Sequence, residues 1–110
     1  MGYKRGDVVL VNLNLKKGEE IGKIRPAIIV SDDLQNEELD VVILVPLSTK
    51  LIDDAFPYRV RIRKKERLNS DSDALLYHLR AVSKRRVIEK LATLSQEELA
   101  LIKEGICEIL

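Results

Sequence analysis

Tyr58-Arg-Val-Arg-Ile-Arg-Lys-Lys-Glu-Arg67, YRVRIRKKER, places apolar side chains at 58, 60 and 62 and arginines at 59, 61 and 63. A period of two is that of an extended strand with one face buried. It predicts a strand over 58–63, with Tyr58, Val60 and Ile62 inward and Arg59, Arg61 and Arg63 outward. The rest of the chain repeats this message. Residues 8–13 (VVLVNL) and 26–30 (PAIIV) are short apolar runs, and 39–47 (LDVVILVPL) is a longer one. Further extended pieces are expected at 74–82 and 87–91, which makes five or six strands.

The period changes at the end of the chain. Ser95-Gln-Glu-Glu98 has the form of a capping box, and Leu99, Ile102, Ile106 and Ile109 follow at helical spacing. A C-terminal helix whose apolar stripe covers a small, strongly curved sheet is therefore expected, in one domain over residues 1–110. The polar run 69–73 (NSDSD) and the acid pairs Asp32-Asp33 and Asp53-Asp54 read as loop and turn residues.

Composition limits the function classes. Apolar residues make up 45% of the 110 residues but aromatic ones only 4%, so no stacking platform for bases is available and binding of a nucleic acid must rest on charge. No stretch approaches the length of a membrane helix and the N-terminus lacks a signal-peptide core, so a cytoplasmic protein without membrane attachment is expected. The lone cysteine, Cys107, excludes an internal disulfide and is read as a packing residue.

The net charge of +1 conceals segregation. Residues 31–57 hold seven acids against Lys50, whereas 58–67 hold six bases against Glu66 and 80–90 five bases against Glu89. Solvated strands and turns account for either basic segment alone. Two such segments in so short a chain favour a surface that faces a polyanion.

Counting removes several chemistries. With a single histidine, His78, neither a two-histidine ribonuclease mechanism nor a histidine-rich zinc site can be assembled in one chain. Adjacent carboxylates in an extended segment point to opposite faces, so no metal site is expected from the acid pairs. The run 18–23 (GEEIGK) has the wrong glycine spacing for a phosphate loop and Ile24 where a hydroxyl should stand. No cofactor is implied.

What remains is Arg25, held extended by Pro26 at the mouth of a strand. The residues alone leave it two roles, a surface ion pair with Glu19 or Glu20 or a guanidinium presented to a phosphate. Ser48 and Thr49 likewise either satisfy turn amides where a strand leaves the core or meet Arg25 in space.

The ordered set RGDVVLVNLN (5–14), GEEIGKIRPAIIVSDD (18–33), VVILVPLSTK (41–50), LLYHLRAVSKRRV (75–87) and LSQEELALIKEGI (94–106) resembles the MazF/PemK family of toxin endoribonucleases over nearly the whole chain. The resemblance implies a mainly β fold with a C-terminal helix, a small SH3-like barrel of the MazF/CcdB type, working as a homodimer. It also implies metal-independent cleavage of single-stranded RNA, and control by an acidic MazE-like antitoxin whose complex with the toxin binds DNA. The family's catalytic arginine falls on Arg25, its acidic loop residue on Glu20 and its catalytic threonine on Ser48. Serine there keeps the hydroxyl but loses the methyl that stiffens the rotamer, which makes Thr49 a second candidate. His78 stands where relatives often have glutamine; it is read either as a core or strand-pairing residue or as a second candidate base.

On this reading the ribose 2′-hydroxyl attacks the adjacent phosphate, with Arg25 and Ser48 stabilising the phosphorane and Glu20 or His78 accepting the proton. Lys16, Lys23, Arg59, Arg61, Arg63, Arg80, Lys84 and Arg86 are expected to hold flanking RNA. Two other classes stay open: a CcdB-like toxin that binds gyrase, and an RNA-binding barrel without turnover.

Overall fold

The computed structural model describes residues 2–13 and 24–110. Its strands are β1 (Asp7–Asn12), β2 (Ile24–Ile29), β3 (Val41–Ser48), β4 (Arg59–Ile62), β5 (Ser72–Leu75), β6 (Arg80–Ser83) and β7 (Val87–Thr93), with helices α1 (Asp33–Glu38) and α2 (Gln96–Ile109). All strand pairs are antiparallel, in the order β4-β5-β3-β2-β1-β7, and β6 pairs with β3. The edge of β3 is thus shared, by β6 along Val41–Leu44 and by β5 at Leu47 and Ser48.

The fold is mainly β with a C-terminal helix, but the barrel description fits loosely, because β4 and β7 end the order without pairing. The turn after β4 bridges that gap instead. The Arg67 amide donates to the Leu91 carbonyl at 3.0 Å and the Thr93 amide to Glu66 Oε1 at 2.9 Å.

Alternation along the strands gives the sheet two apolar faces. Val8, Ile28, Val45, Val60, Ile62 and Ala74 pack with Ile102 of α2, the partner that the helical stripe requires. The other face gathers Val9, Val11, Ala27, Ile29, Val42, Leu44 and Val82 into a second cluster. Helix α2 begins with the full capping box. Ser95 Oγ accepts from the Glu98 amide at 3.1 Å and Glu98 Oε1 from the Ser95 amide at 3.0 Å. Near its end Gly105 lies against Leu76, the Pro57 carbonyl and the Phe56 ring, where a Cβ would collide. The absence of a side chain there lets the helix close on the β3–β4 connection.

Several local expectations are corrected. Tyr58 is exposed, since β4 begins after it. Extended structure over 74–82 is broken by a 3₁₀ turn at Leu76–His78, which leaves His78 exposed beside Tyr77 rather than in the core. Residues 72 and 73 belong to a buried strand, not to a loop. Asp32 does serve a turn, as the N-cap of α1, a helix too short to produce a period in the sequence; its Oδ1 accepts from the Gln35 amide at 2.7 Å. Cys107 is exposed.

Candidate functional site

Arg25 enters β2 one residue before a proline, and its Cα lies opposite Val11 on β1. On its other side β2 pairs with β3 through Ala27↔Pro46. Arg25 and Ser48 each stand two residues beyond that last pair, and by alternation both lie on the face of the second apolar cluster. Ser48 in turn pairs with Asp73 on β5, and Asp73 with Arg61 on β4. Ser48, Asp73 and Arg61 therefore form a row across the sheet where the second apolar cluster ends, with Arg25 on the neighbouring strand β2. Arg25 is half-buried, and its side chain meets no hydrogen-bond or ion-pair partner among the described residues.

The Ser48 hydroxyl oxygen accepts from the Lys50 amide at 3.1 Å, so it does satisfy a turn, as one of its two readings required. That bond uses the oxygen as acceptor and leaves the O–H able to donate across the row. Thr49 is exposed at the start of the β3–β4 connection.

Asp73 is the residue that the sequence reading missed. Only 1% exposed, it accepts from Arg61 Nε at 2.6 Å, the Ile52 amide at 2.8 Å and Arg59 Nη1 at 3.1 Å. Arg61 reaches on to Asp53 Oδ1 at 2.9 Å, and Arg59 to the Lys50 carbonyl at 3.0 Å and the Tyr77 hydroxyl at 3.4 Å. Burial pushes the Asp73 carboxyl up, but the bonds from Arg61, Ile52 and Arg59 outweigh it and hold the carboxyl below the usual range. Bonds to Asp73 and then Asp53 raise Arg61; for Arg59, burial opposes and the bonds to Asp73 and Tyr77 prevail. The only signal in the sequence was indirect: a hairpin joining 59–62 to the strand after it carries an acid back to the arginine face.

The same network borders a cleft of about 460 Å³ between the β3–β4 connection, β4 and α2, with Ile52, Asp53, Arg59, Arg61 and Leu101 in its wall. A second depression of about 510 Å³ lies between Asn12, Ser83, Arg85, Arg86 and Ile88.

The other expected cations are dispersed. Arg63 is exposed, with Asp71 at 3.7 Å, and Lys84 donates to the Asn36 carbonyl at 2.7 Å. Arg86 reaches the Asn12 carbonyl at 3.5 Å, which brings the 84–86 turn beside the end of β1. Arg80 and Arg85 meet no carboxylate among the described residues. Glu20, Lys16 and Lys23 lie outside the described residues. Among those described, no cluster of three or more potential metal ligands occurs, and no helix is long and apolar enough to cross a membrane.

Residues 4–110 match the family of PemK-like, MazF-like toxins of type II toxin-antitoxin systems. The chain belongs to this family. Solved toxins share its fold. A MazE-MazF complex from Deinococcus radiodurans superposes with a TM-score of 0.81 at 22% identity, covering 99% of this toxin and 96% of that chain. An endoribonuclease in complex with its cognate antitoxin, from a mycobacterial species, gives 0.72 at 18% identity, covering 97% and 91%. The toxin MazF-mt6 of Mycobacterium tuberculosis gives 0.77 at 16%, covering 93% of each chain.

Proposed function

We propose that this toxin is an endoribonuclease that cuts single-stranded RNA by attack of a ribose 2′-hydroxyl on the neighbouring phosphate, without a metal ion. The observation that supports the reading is Arg25, a guanidinium with no carboxylate partner among the described residues, on the strand that pairs with β3 up to Ala27↔Pro46, two residues short of Ser48, whose hydroxyl proton is free to donate. The 2′-oxygen forms a bond to phosphorus, and its proton passes to a base, Glu20 or the exposed His78. The bond from phosphorus to the 5′-oxygen then breaks and that oxygen takes up a proton, leaving a 2′,3′-cyclic phosphate and a 5′-hydroxyl. Arg25 and Ser48 donate to the non-bridging oxygens as charge builds on them, a contribution of a few kcal/mol in preorganised sites. Arginine, with its high pKa, serves here as a donor and not as the base.

A homodimer is part of this reading: a symmetric interface that set two copies of the row on one face would join them into a channel for several nucleotides. The partner in the cell is an acidic antitoxin whose poorly ordered segment covers the same cations. Relatives described as a MazE-MazF complex and as an endoribonuclease with its cognate antitoxin support this assignment.

Incubation with a long single-stranded RNA in excess EDTA tests the proposal. Discrete fragments with 5′-hydroxyl ends are expected, and RNA carrying a 2′-deoxy nucleotide at the cut site should stay intact there. Intact RNA at every protein concentration would remove the enzymatic reading in favour of a binding toxin. Light scattering at micromolar concentration should give about twice the chain mass.

A further inference from the structure

Asp73 is buried and ionised, and every bond it makes leads to the segment that leaves β3 directly after Ser48. Its Oδ2 accepts from the Ile52 amide at 2.8 Å and from Arg59 Nη1 at 3.1 Å. That same Arg59 nitrogen donates to the Lys50 carbonyl at 3.0 Å, and the Lys50 amide is the group that holds the Ser48 oxygen at 3.1 Å. Through its Oδ1, Asp73 takes Arg61 Nε at 2.6 Å, and Arg61 fastens Asp53 a few residues further along the connection. The backbone at Lys50 and Ile52 is thus tied to β5 from both sides of Leu51, and the Ser48 hydroxyl hangs from the tied turn.

We propose that Asp73 is a positioning residue for the Ser48 hydroxyl: it clamps the start of the β3–β4 connection through Arg59 and the Ile52 amide, so that the Lys50 amide fixes the hydroxyl's orientation toward Arg25. The proposal rests on the endoribonuclease reading above. It supplies what serine lacks at this position. A threonine methyl restricts χ1 by itself, whereas a serine in a loose turn would sample several rotamers and present its proton in the wrong direction most of the time. A rigid acceptor contact, set by a buried ionic network, restores one orientation.

The network also changes what Arg59 and Arg61 do. Their two positive charges face the negative charges of Asp73 and Asp53, so this part of the row is close to neutral and its arginines act first as braces for the loop. Removing the Asp73 charge should therefore impair turnover without weakening the hold on RNA, a split that simple loss of folding or of phosphate contacts does not produce.

The experiment compares wild type, Asp73→Asn, Ser48→Ala and the double variant. Cleavage is measured on a long single-stranded RNA, and binding on its 2′-O-methylated, uncleavable counterpart. Asp73→Asn is expected to lower kcat at least tenfold while affinity for the uncleavable RNA stays level or tightens. In the Ser48→Ala background it should cost almost nothing more. Arg59→Lys, which keeps the charge but loses the fork that reaches Lys50, should give the same loss of kcat. Unchanged kcat, or losses that multiply in the double variant, would overturn the positioning role. Amide exchange gives a readout independent of catalysis: the Lys50 and Ile52 amides should exchange at least tenfold faster in Asp73→Asn, and unchanged exchange would refute the clamp. A wild-type protein that cuts no RNA would instead count against the endoribonuclease reading, leaving the clamp to be judged by exchange.

Discussion

The two basic segments, 58–67 and 80–90, look alike in sequence and meet opposite environments in the fold. In the first, nearly every cation has found a carboxylate. Arg59 and Arg61 bind Asp73, Arg61 also binds Asp53, Lys65 sits 2.6 Å from Glu98, and Arg67 bonds to Glu89. In the second, Lys90 approaches Asp7 at 3.4 Å, but Lys84 is held by a carbonyl, and Arg80 and Arg85 face solvent or the sheet edge without an acid among the described residues. A cation already matched by an anion adds little to the long-range field, whereas an unmatched one attracts phosphates and acidic peptides. The first segment is thus tied into the structure by ion pairs, and the second leaves Arg80 and Arg85 unmatched by an acid among the described residues.

That contrast can be broken by experiment, and the largest effect should come from the one unmatched cation beside the central row. Arg25→Ala should leave folding intact yet slow RNA cleavage at least ~100-fold, and Arg25→Lys should be nearly as poor because lysine lacks the planar fork. Near wild-type cleavage by either variant would exclude Arg25 from the chemistry.

Next in size is the difference between the segments themselves. Reversing Arg80 and Arg85 together to glutamate should weaken RNA binding roughly tenfold or more and flatten its salt dependence, since matched contacts to phosphate are what release counterions. Reversing Lys65 and Arg67 should change RNA affinity much less while lowering thermal stability. If the two double reversals weakened RNA equally, the division of labour would be wrong.

Stability should report the opposite ranking. Asp73→Ala strips three hydrogen bonds from a buried carboxylate and should cost about 2 kcal/mol in denaturant unfolding, because bonds to charged groups are the stronger kind. Replacement of exposed Arg63 by alanine should stay within about 0.5 kcal/mol.

The smallest effect is one of pH. Burial raises Glu98, but bonds from Lys65, Ser95 and Arg63 outweigh it, so Glu98, like Asp73, titrates below its ordinary value in the folded protein. The stability that these carboxylates contribute is complete above their unfolded values, near 4.5 and 3.8, and is lost as pH falls through the lower folded ones. Thermal midpoints should therefore hold steady down to about pH 5 and decline below it, with a shallower decline in Asp73→Asn. An equal decline in that variant would assign the acid sensitivity elsewhere.

Much of the fold was legible because its signals are local. Alternation at 59–62, the valine run of β1 and the Ser95–Glu98 capping box each depend on neighbours a few residues apart, and each appears at its expected place. The departures have equally local causes. The 3₁₀ turn at Leu76–His78 interrupts an apolar run that a period alone cannot distinguish from a strand, and the six residues of α1 are too few to display a helical stripe.

By itself, the sequence determined that this protein would be a small curved sheet covered by one C-terminal helix, with Arg25 locked extended at a strand mouth and two stretches rich in cations. Periodicity, capping and the restriction before proline act within a turn or two of chain, so no tertiary knowledge was needed. Only the tertiary structure decided which of those cations are neutralised. Arg59 and Arg61 meet Asp73 across a β-hairpin, Lys65 meets Glu98 across the sheet and helix, and Ser48 pairs with Asp73 through the register of β3 and β5. Each of those pairings is set by strand register and chain closure between residues far apart in sequence, and the charge of a segment read along the chain carries no record of them.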